Sequence, residues 1–192
     1  MPLSPPVARE PMHTRRYSFE AFRRADGLWD IDAQLTDTKT YGFDNDYRGR
    51  IEAGEPLHGM WLRLTLDEDF LVHAIEAVSD HTPYAVCPAV TPNFQRIVGL
   101  RIGPGWRNKV RQQVGGVEGC THLVEMLGAL GTVAYQALYP VRVRRESEAP
   151  QPGRRPPLLG SCHAFAPDSP VVRKQWPEFY TGPGAATDDA AE

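Results

Sequence analysis

The sequence predicts an α+β fold: an antiparallel four-stranded β-meander followed by three α-helices packed on one face, with a C-terminal arm. Three observations carry this expectation. Apolar and polar residues alternate on both sides of Asp26-Gly27. Met60, Leu62, Leu64 and Leu66 repeat that period of two. Beyond Pro83 the apolar spacing changes to three and four. A period of two lines one face of a strand, and a period near 3.6 lines one stripe of a helix. Strands first and helices afterwards favour α+β over interleaved α/β units.

Tyr17, Phe19 and Ala21 alternate with Ser18, Glu20 and Phe22, and Trp29, Ile31, Ala33 and Leu35 alternate with Asp30, Asp32 and Gln34. With Asp-Gly between them, the two stretches read as a hairpin. Residues 36–59 hold few apolar residues and many charges, Asp37, Lys39, Asp44 and Arg48 among them. They read as a long loop, either a lid or binding loop or a loose connection. Residues 60–66 form a third strand, turned by Asp67-Glu68-Asp69, and residues 70–78 a fourth. The meander keeps one apolar face.

Thr91-Pro92 reads as the N-cap and first residue of a short helix with the stripe Phe94, Ile97 and Val98. Gly103-Pro104-Gly105 breaks it, and residues 106–114 form a second, basic helix. Leu123, Met126, Leu127, Leu130, Ala134 and Leu138 form the stripe of a third, opened by Thr121 as N-cap and stopped by Pro140. Residues 13–180 are expected as one domain, with a linker-like loop at 142–157 and a docking arm at 158–180. The Pro-rich tail 1–12 and the acidic tail 181–192 are expected to be disordered.

At a net charge of −3 over 192 residues, the chain lacks the basic excess of a dedicated nucleic-acid binder. No apolar run approaches the roughly 20 residues that span a bilayer, so no membrane partner is expected. Residues 1–11 hold no apolar segment of a secretory signal. Three widely spaced cysteines make no disulfide framework. A cytoplasmic location with reduced thiols is the expectation.

The stretch Gly119-Cys120-Thr121-His122-Leu123-Val124-Glu125 places a thiol and an imidazole at a helix start. Unpaired N–H groups and the helix dipole favour an anion there. His122 and Glu125 are three apart and share a face. Cys120 and His122 need the bend before the helix in order to meet. The catalytic candidates are therefore His122, Glu125, Cys120 and a loop carboxylate, Asp37. Arg101, Gly103, Gly105, Trp106 and Arg107 frame a helix start that could cradle phosphate, with Trp106 stacking an aromatic ring. Arg15 and Arg16 precede the first strand's apolar residues. His58 and Trp61 flank the third strand, and Trp61 with Arg63 gives that strand an aromatic and cationic outer face. Cys87, Cys120, Cys162 and His163 could join His122 and Glu125 around a metal. Cys-x-x-Cys and His-Glu-x-x-His are both missing, so no metal ligand is assigned.

His13-Thr-Arg-Arg, Asp26-Gly-Leu-Trp-Asp30, Glu55-Pro-Leu-His58 with Met60-Trp-Leu-Arg-Leu64, Pro83-Tyr84 with Cys87-Pro88, Arg101-Ile-Gly-Pro-Gly-Trp106, Gly119-Cys-Thr-His122 and Cys162-His163 together resemble a bacterial family, domain of unknown function 2889. The likeness runs from His13 to about Tyr180. It implies a role in the catabolism of lignin-derived aromatics, with thioesterases of aromatic acyl-CoA, the vanilloyl-CoA type, among the related proteins. A fainter likeness is to iron–sulfur scaffold proteins of the NifU type. Their first cysteine, in a strand-to-strand loop, has no counterpart in 36–59, which speaks against cluster assembly.

The expected function is hydrolysis of an aromatic acyl-CoA thioester. In that reading Arg15, Arg16 and the 103–111 segment hold CoA phosphates, Trp61, Trp106 and the 36–59 loop enclose the acyl ring, and His122, with Glu125 or Asp37, activates water or Cys120 attacks directly. No cofactor is expected beyond the CoA of the substrate, no nucleic acid is expected as partner, and a homo-oligomer is. The alternatives are a metal or iron–sulfur binding module and a partner subunit of a catabolic enzyme.

Overall fold

In the computed structural model, which describes residues 3–148 and 153–184, the Asp-Gly turn joins two long antiparallel strands. These are β1 (His13–Arg23) and β2 (Trp29–Lys39). Gly27 at the turn has φ +87°, a left-handed backbone that glycine adopts without strain. Ile31, Ala33 and Leu35 of β2 are buried, as the alternation requires. β5 (Pro56–Leu66) pairs with β2, and β6 (Val72–His81) pairs with β5, all antiparallel, in the order β1-β2-β5-β6.

Residues 36–59 are not a structureless loop. β2 continues through Lys39, and β3 (Phe43–Asn45) and β4 (Gly49–Ile51) pair as a small separate hairpin before β5 begins at Pro56. The sequence concealed this because the inward position after Leu35 is a carboxylate, Asp37, which is only 2% exposed. Asn45 turns the small hairpin by accepting the Tyr47 and Arg48 N–H groups, and buried Ile51 anchors it.

After β6 the expected α-helix at 91–98 is a 3-10 helix, Cys87–Ile97. Pro92, inside it, lacks the N–H group that a regular α-helix would need there, whereas Pro88 sits in the first turn where none is needed. Two α-helices follow, α1 (Trp106–Val114) and α2 (Thr121–Glu148). Their apolar stripes close over the inner sheet face, so that Val110, Val114, Leu123, Leu127 and Leu130 share one core with Leu62 and Leu64. Residues 142–148, expected in a linker, are helical, because α2 carries Pro140 inside it. An interior proline costs a helix on the order of 3 kcal/mol. Two turns beyond Tyr135, the Arg142 guanidinium lies over the Tyr135 and Phe70 rings and donates to the Tyr135 hydroxyl at 2.9 Å, holding the helix together across the proline. Among the described residues no helix is long and apolar enough to cross a membrane.

The chain divides between Arg142 and Val143 into two compact units. The second contains the short helix α3 (Pro170–Gln175), capped by Ser169, whose hydroxyl accepts the Val172 N–H at 3.2 Å. Phe165 and Trp176 pack at 5.4 Å within it, and Val172 is fully buried. Residues 3–12 are exposed without regular structure. Residues 1–2, 149–152 and 185–192, which belong to the expected tails and linker, lie outside the described residues.

Candidate active site at the open end of the sheet

The inner face of β2 reads Ile31, Ala33, Leu35, Asp37, and the sheet register gives Asp37 two direct neighbours. Arg15 faces it from β1 and His58 faces it from β5. Facing side chains on neighbouring antiparallel strands stand close enough to touch. A polar row three strands wide therefore closes the end of an otherwise apolar floor. Arg15 grips Asp37 with two parallel bonds, Nε to Oδ1 at 2.7 Å and Nη2 to Oδ2 at 2.6 Å. His58 Nδ1 lies 2.9 Å from Oδ2, and His13 Nε2 3.1 Å from Oδ1. Both carboxylate oxygens thus take two bonds each, which fills their accepting capacity.

Burial pushes the Asp37 carboxyl up, but the Arg15 hydrogen bonds and charge, with those from His58 and His13, outweigh it and hold it at about 2. An ionised carboxylate only accepts. His58 must therefore donate from Nδ1, and in its neutral form it carries its lone pair on Nε2. Burial lowers the His58 pKa against the pull of Asp37, which keeps the ring neutral.

The start of α2 comes down on this row. Gly119 passes so close to the end of α1 that an added Cβ would lie 1.8 Å from the Val114 carbonyl oxygen, so only glycine fits. Two residues after that crossing the helix begins. Its first hydrogen bond runs from the Val124 N–H to the Cys120 carbonyl at 2.9 Å, which makes Cys120, not Thr121, the N-cap. The His122 ring packs on His58 with centroids 4.2 Å apart and planes tilted by 39°. Burial and the neighbouring His58 and Arg15 lower its pKa as well, so both rings present lone pairs. Cys120 Sγ lies 3.7 Å from His122 Nδ1 and 4.0 Å from Met60 Sδ. The bend before the helix brings the thiol and the imidazole together, as their contact required.

Glu125 is half exposed, and its hydrogen bonds go elsewhere than His122. It accepts from the Tyr17 hydroxyl at 3.1 Å and from Arg15 Nη1 at 3.4 Å. Arg15 is held within the carboxylate cluster by its bonds to Asp37. Arg16 points to the other face of β1, one residue out of step. Trp61 is likewise on the outer face, 43% exposed, with Nε1 donating to Asp80 at 2.8 Å. Arg63 pairs there with Asp32 through two bonds of 2.7 Å.

Trp106 is no ligand platform. It is buried, its Nε1 donates to the Leu127 carbonyl at 2.7 Å, and it fills the space beside Gly131. Arg101 donates to the Asp69 carbonyl, and Gly103 and Gly105 form the turn into α1, with φ +79° at Gly105. Arg107 is exposed beside Gly128 of α2. This helix start therefore stands one to three turns further along α2 than His122.

The sequence reading named His122, Glu125, Cys120 and Asp37 as catalytic candidates and Arg15 and His58 as substrate-binding ones, and the fold brings all six together. It missed His13 and Tyr17 as members. Their shared face with Arg15, at steps of two on β1, was the available signal. Among the described residues, Asp37, His58 and His122 are a group whose donor atoms all lie within 4.8 Å of one another. Cys87 and Cys120 are free thiols of the first unit and Cys162 of the second.

A family model described as a protein of unknown function (DUF2889) matches residues 13–136. No curated protein and no solved structure matches the chain.

Proposed function

The chain belongs to the DUF2889 family, and from the geometry of its polar row we propose that it hydrolyses an acyl-CoA thioester. The aromatic, vanilloyl-like acyl class rests on the resemblance drawn from the sequence. The observation that carries the reading is the 2.9 Å contact between Asp37 Oδ2 and His58 Nδ1. It fixes the tautomer of the imidazole, with Nδ1 donating and the base, Nε2, turned away from the carboxylate. This is the orienting arrangement of general-base hydrolysis.

His58 Nε2 takes a proton from water, and the resulting hydroxide adds to the thioester carbonyl carbon. The tetrahedral oxyanion lies against the unpaired N–H groups of the first turn of α2. The C–S bond then breaks, and the CoA thiolate recovers the proton from His58. Asp37 acts as a positioning residue, held ionised by Arg15. His122, packed on His58, supplies a hydrogen bond to the reacting oxygen or sulfur. Tyr17, stacked on Phe19 at 6.1 Å, takes the part expected of Trp61 and Trp106 as the aromatic wall. Exposed Arg107, Lys109 and Arg111 on α1 are cations that meet the CoA phosphates in this reading.

A second reading has one observation in its favour, the 3.7 Å approach of Cys120 Sγ to His122 Nδ1. In it Cys120 attacks the carbonyl, His122 takes the thiol proton, and an acyl-cysteine forms before water releases the acid.

The test is release of free CoA thiol from a panel of aromatic and aliphatic acyl-CoA esters, in chelator. Release selective for aromatic esters, retained in Cys120→Ser and lost in His58→Ala, supports the first reading. Loss in Cys120→Ser with a trapped acyl-enzyme in the wild type favours the second. No release from any ester overturns both.

A further inference from the structure

The group Asp37, His58 and His122 has a property that hydrolysis by an Asp-His pair does not require. Its three side chains come from two strands and a helix, yet one donor atom of each lies within 4.8 Å of the other two. Asp37 Oδ2 and His58 Nδ1 are already 2.9 Å apart. Two ligands each at about 2.1 Å from a zinc-sized ion stand about 3.0–3.4 Å apart for angles between 90° and 109°. His122, from the first turn of α2, supplies the third donor atom of the group.

We propose that these three residues form a binding site for a divalent transition-metal ion of the zinc class, with water in the remaining position. The ion occupies the place of the hydrogen shared by Asp37 and His58. The imidazole proton moves to Nε2 and the ring stays neutral. Asp37 keeps its Oδ1 bonds to Arg15 and His13 and its Oδ2 bond from Arg15 Nη2, which orient the carboxylate as second-shell groups orient other metal ligands, and the ion takes the accepting position on Oδ2 that His58 fills.

The neighbouring charges select the kind of ion. The Arg15 guanidinium beside the site opposes a cation, and Glu125, 3.4 Å from Arg15 Nη1, only partly offsets it. A hard ion such as Mg2+ or Ca2+ depends on charge and on oxygen ligands, and this site offers one carboxylate already shared with arginine. Two imidazoles suit Zn2+, Co2+ and Ni2+.

The proposal shares its atoms with the hydrolase reading, since an ion on Nδ1 leaves Nε2 protonated and removes the base. The two are therefore tested apart. Metal uptake is measured without substrate, and thiol release is measured in chelator. The full chain is stripped of metal, titrated with Co2+ and Zn2+, and analysed for bound metal after desalting. One equivalent of each is expected, with Co2+ giving the visible absorption of a low-coordinate site. His58→Ala and His122→Ala should each weaken binding at least tenfold, Glu125→Gln should weaken it by less, and Cys120→Ser should bind as the wild type does. His122→Gln, checked by circular dichroism, guards against a loss that reflects unfolding. Absence of uptake by the wild type overturns the site. Undiminished binding in the His58 and His122 variants, or loss of binding in Cys120→Ser, overturns the ligand set. An equal affinity for Mg2+ overturns the selectivity argument.

Discussion

Two Asp-His pairs stand at opposite ends of the same strand, β5, each with a nitrogen-to-oxygen distance of 2.9 Å. One is Asp37-His58, where β5 starts, and the other joins Asp67, in the turn after β5 ends, to His73 at the start of β6. Distance does not separate them; surroundings do. The Asp37 side chain is 2% exposed and that of His58 13%, whereas Asp67 and His73 are 30% and 41% exposed. Asp37 is gripped by Arg15 and roofed by α2. Asp67 spends its remaining capacity on the Asp69 and Leu71 N–H groups and so shapes a turn. An identical hydrogen bond is a site in one place and a stitch in the other. What differs is desolvation and the convergence of further polar groups, both supplied by the register of neighbouring strands.

The sharpest way to break this comparison is to remove each imidazole. His58→Ala should lower kcat by roughly 10²–10⁴-fold, the usual contribution of a general base, while His73→Ala leaves it unchanged. Thiol-release kinetics on both variants decides this, and equal effects would sink the distinction. Next in size is the apolar floor between the two ends. Leu64 is fully buried, so Leu64→Ala should cost about 2–5 kcal/mol of stability in urea melts, with kcat per folded molecule unaltered. Asp37→Asn should cost about 3 kcal/mol by leaving Arg15 without its carboxylate, and it should lower kcat as well. Asp67→Asn should do neither to a comparable degree.

Glu125→Gln sharpens the boundary of the site. Its contact with Arg15 is solvent-exposed, worth about 0.5 kcal/mol or less, and a small change in kcat is expected. The smallest effect is the acid dependence of the Asp67 end. Burial raises the Asp67 pKa, but the His73 hydrogen bond and two backbone N–H groups outweigh it and hold it below 3.8. A group lowered on folding stabilises above its unfolded pKa, and that stability is lost as pH falls through the folded value. The wild type and Asp67→Asn should therefore converge in stability as pH drops below about 3.8, as measured by thermal melts across that range.

Where side chains repeat by simple period, the fold was legible. The first hairpin, the alternation of residues 60–66 and the stripe of α2 all stand where the spacing puts them. Where a polar residue takes an apolar position, legibility failed. Asp37 ended the visible alternation of β2, so the second half of the strand and the small hairpin after it read as loop. Pro140 read as a stop because the stacking of Arg142 on Tyr135 and Phe70 cannot be seen in one dimension. His122, Glu125, Cys120 and Asp37 were legible as one catalytic set, but the joining of Arg15 and His58 to Asp37 was not. Arg15, Asp37 and His58 are 22 and 21 positions apart in the chain and meet only through strand register. Trp61 and Trp106 misled for the complementary reason. Aromatic character does not tell which face of a strand or helix a residue occupies.

The polar row also bears on how the chain reaches its fold. Strand pairing between β1 and β2 could in principle slip by a residue, and β1, largely exposed on both faces, has little apolar burial of its own to oppose the slip. A one-residue slip turns every β1 side chain to the opposite face. Arg15 would leave, and Asp37 would remain on the inner face with no guanidinium to hold its charge. A misregistered hairpin thus strands an ion in the core at a cost of several kcal/mol, while a correct one completes a two-pronged lock. The same arginine that positions the site therefore acts as a proofreader of strand alignment, at the edge of the sheet where alignment is otherwise least constrained.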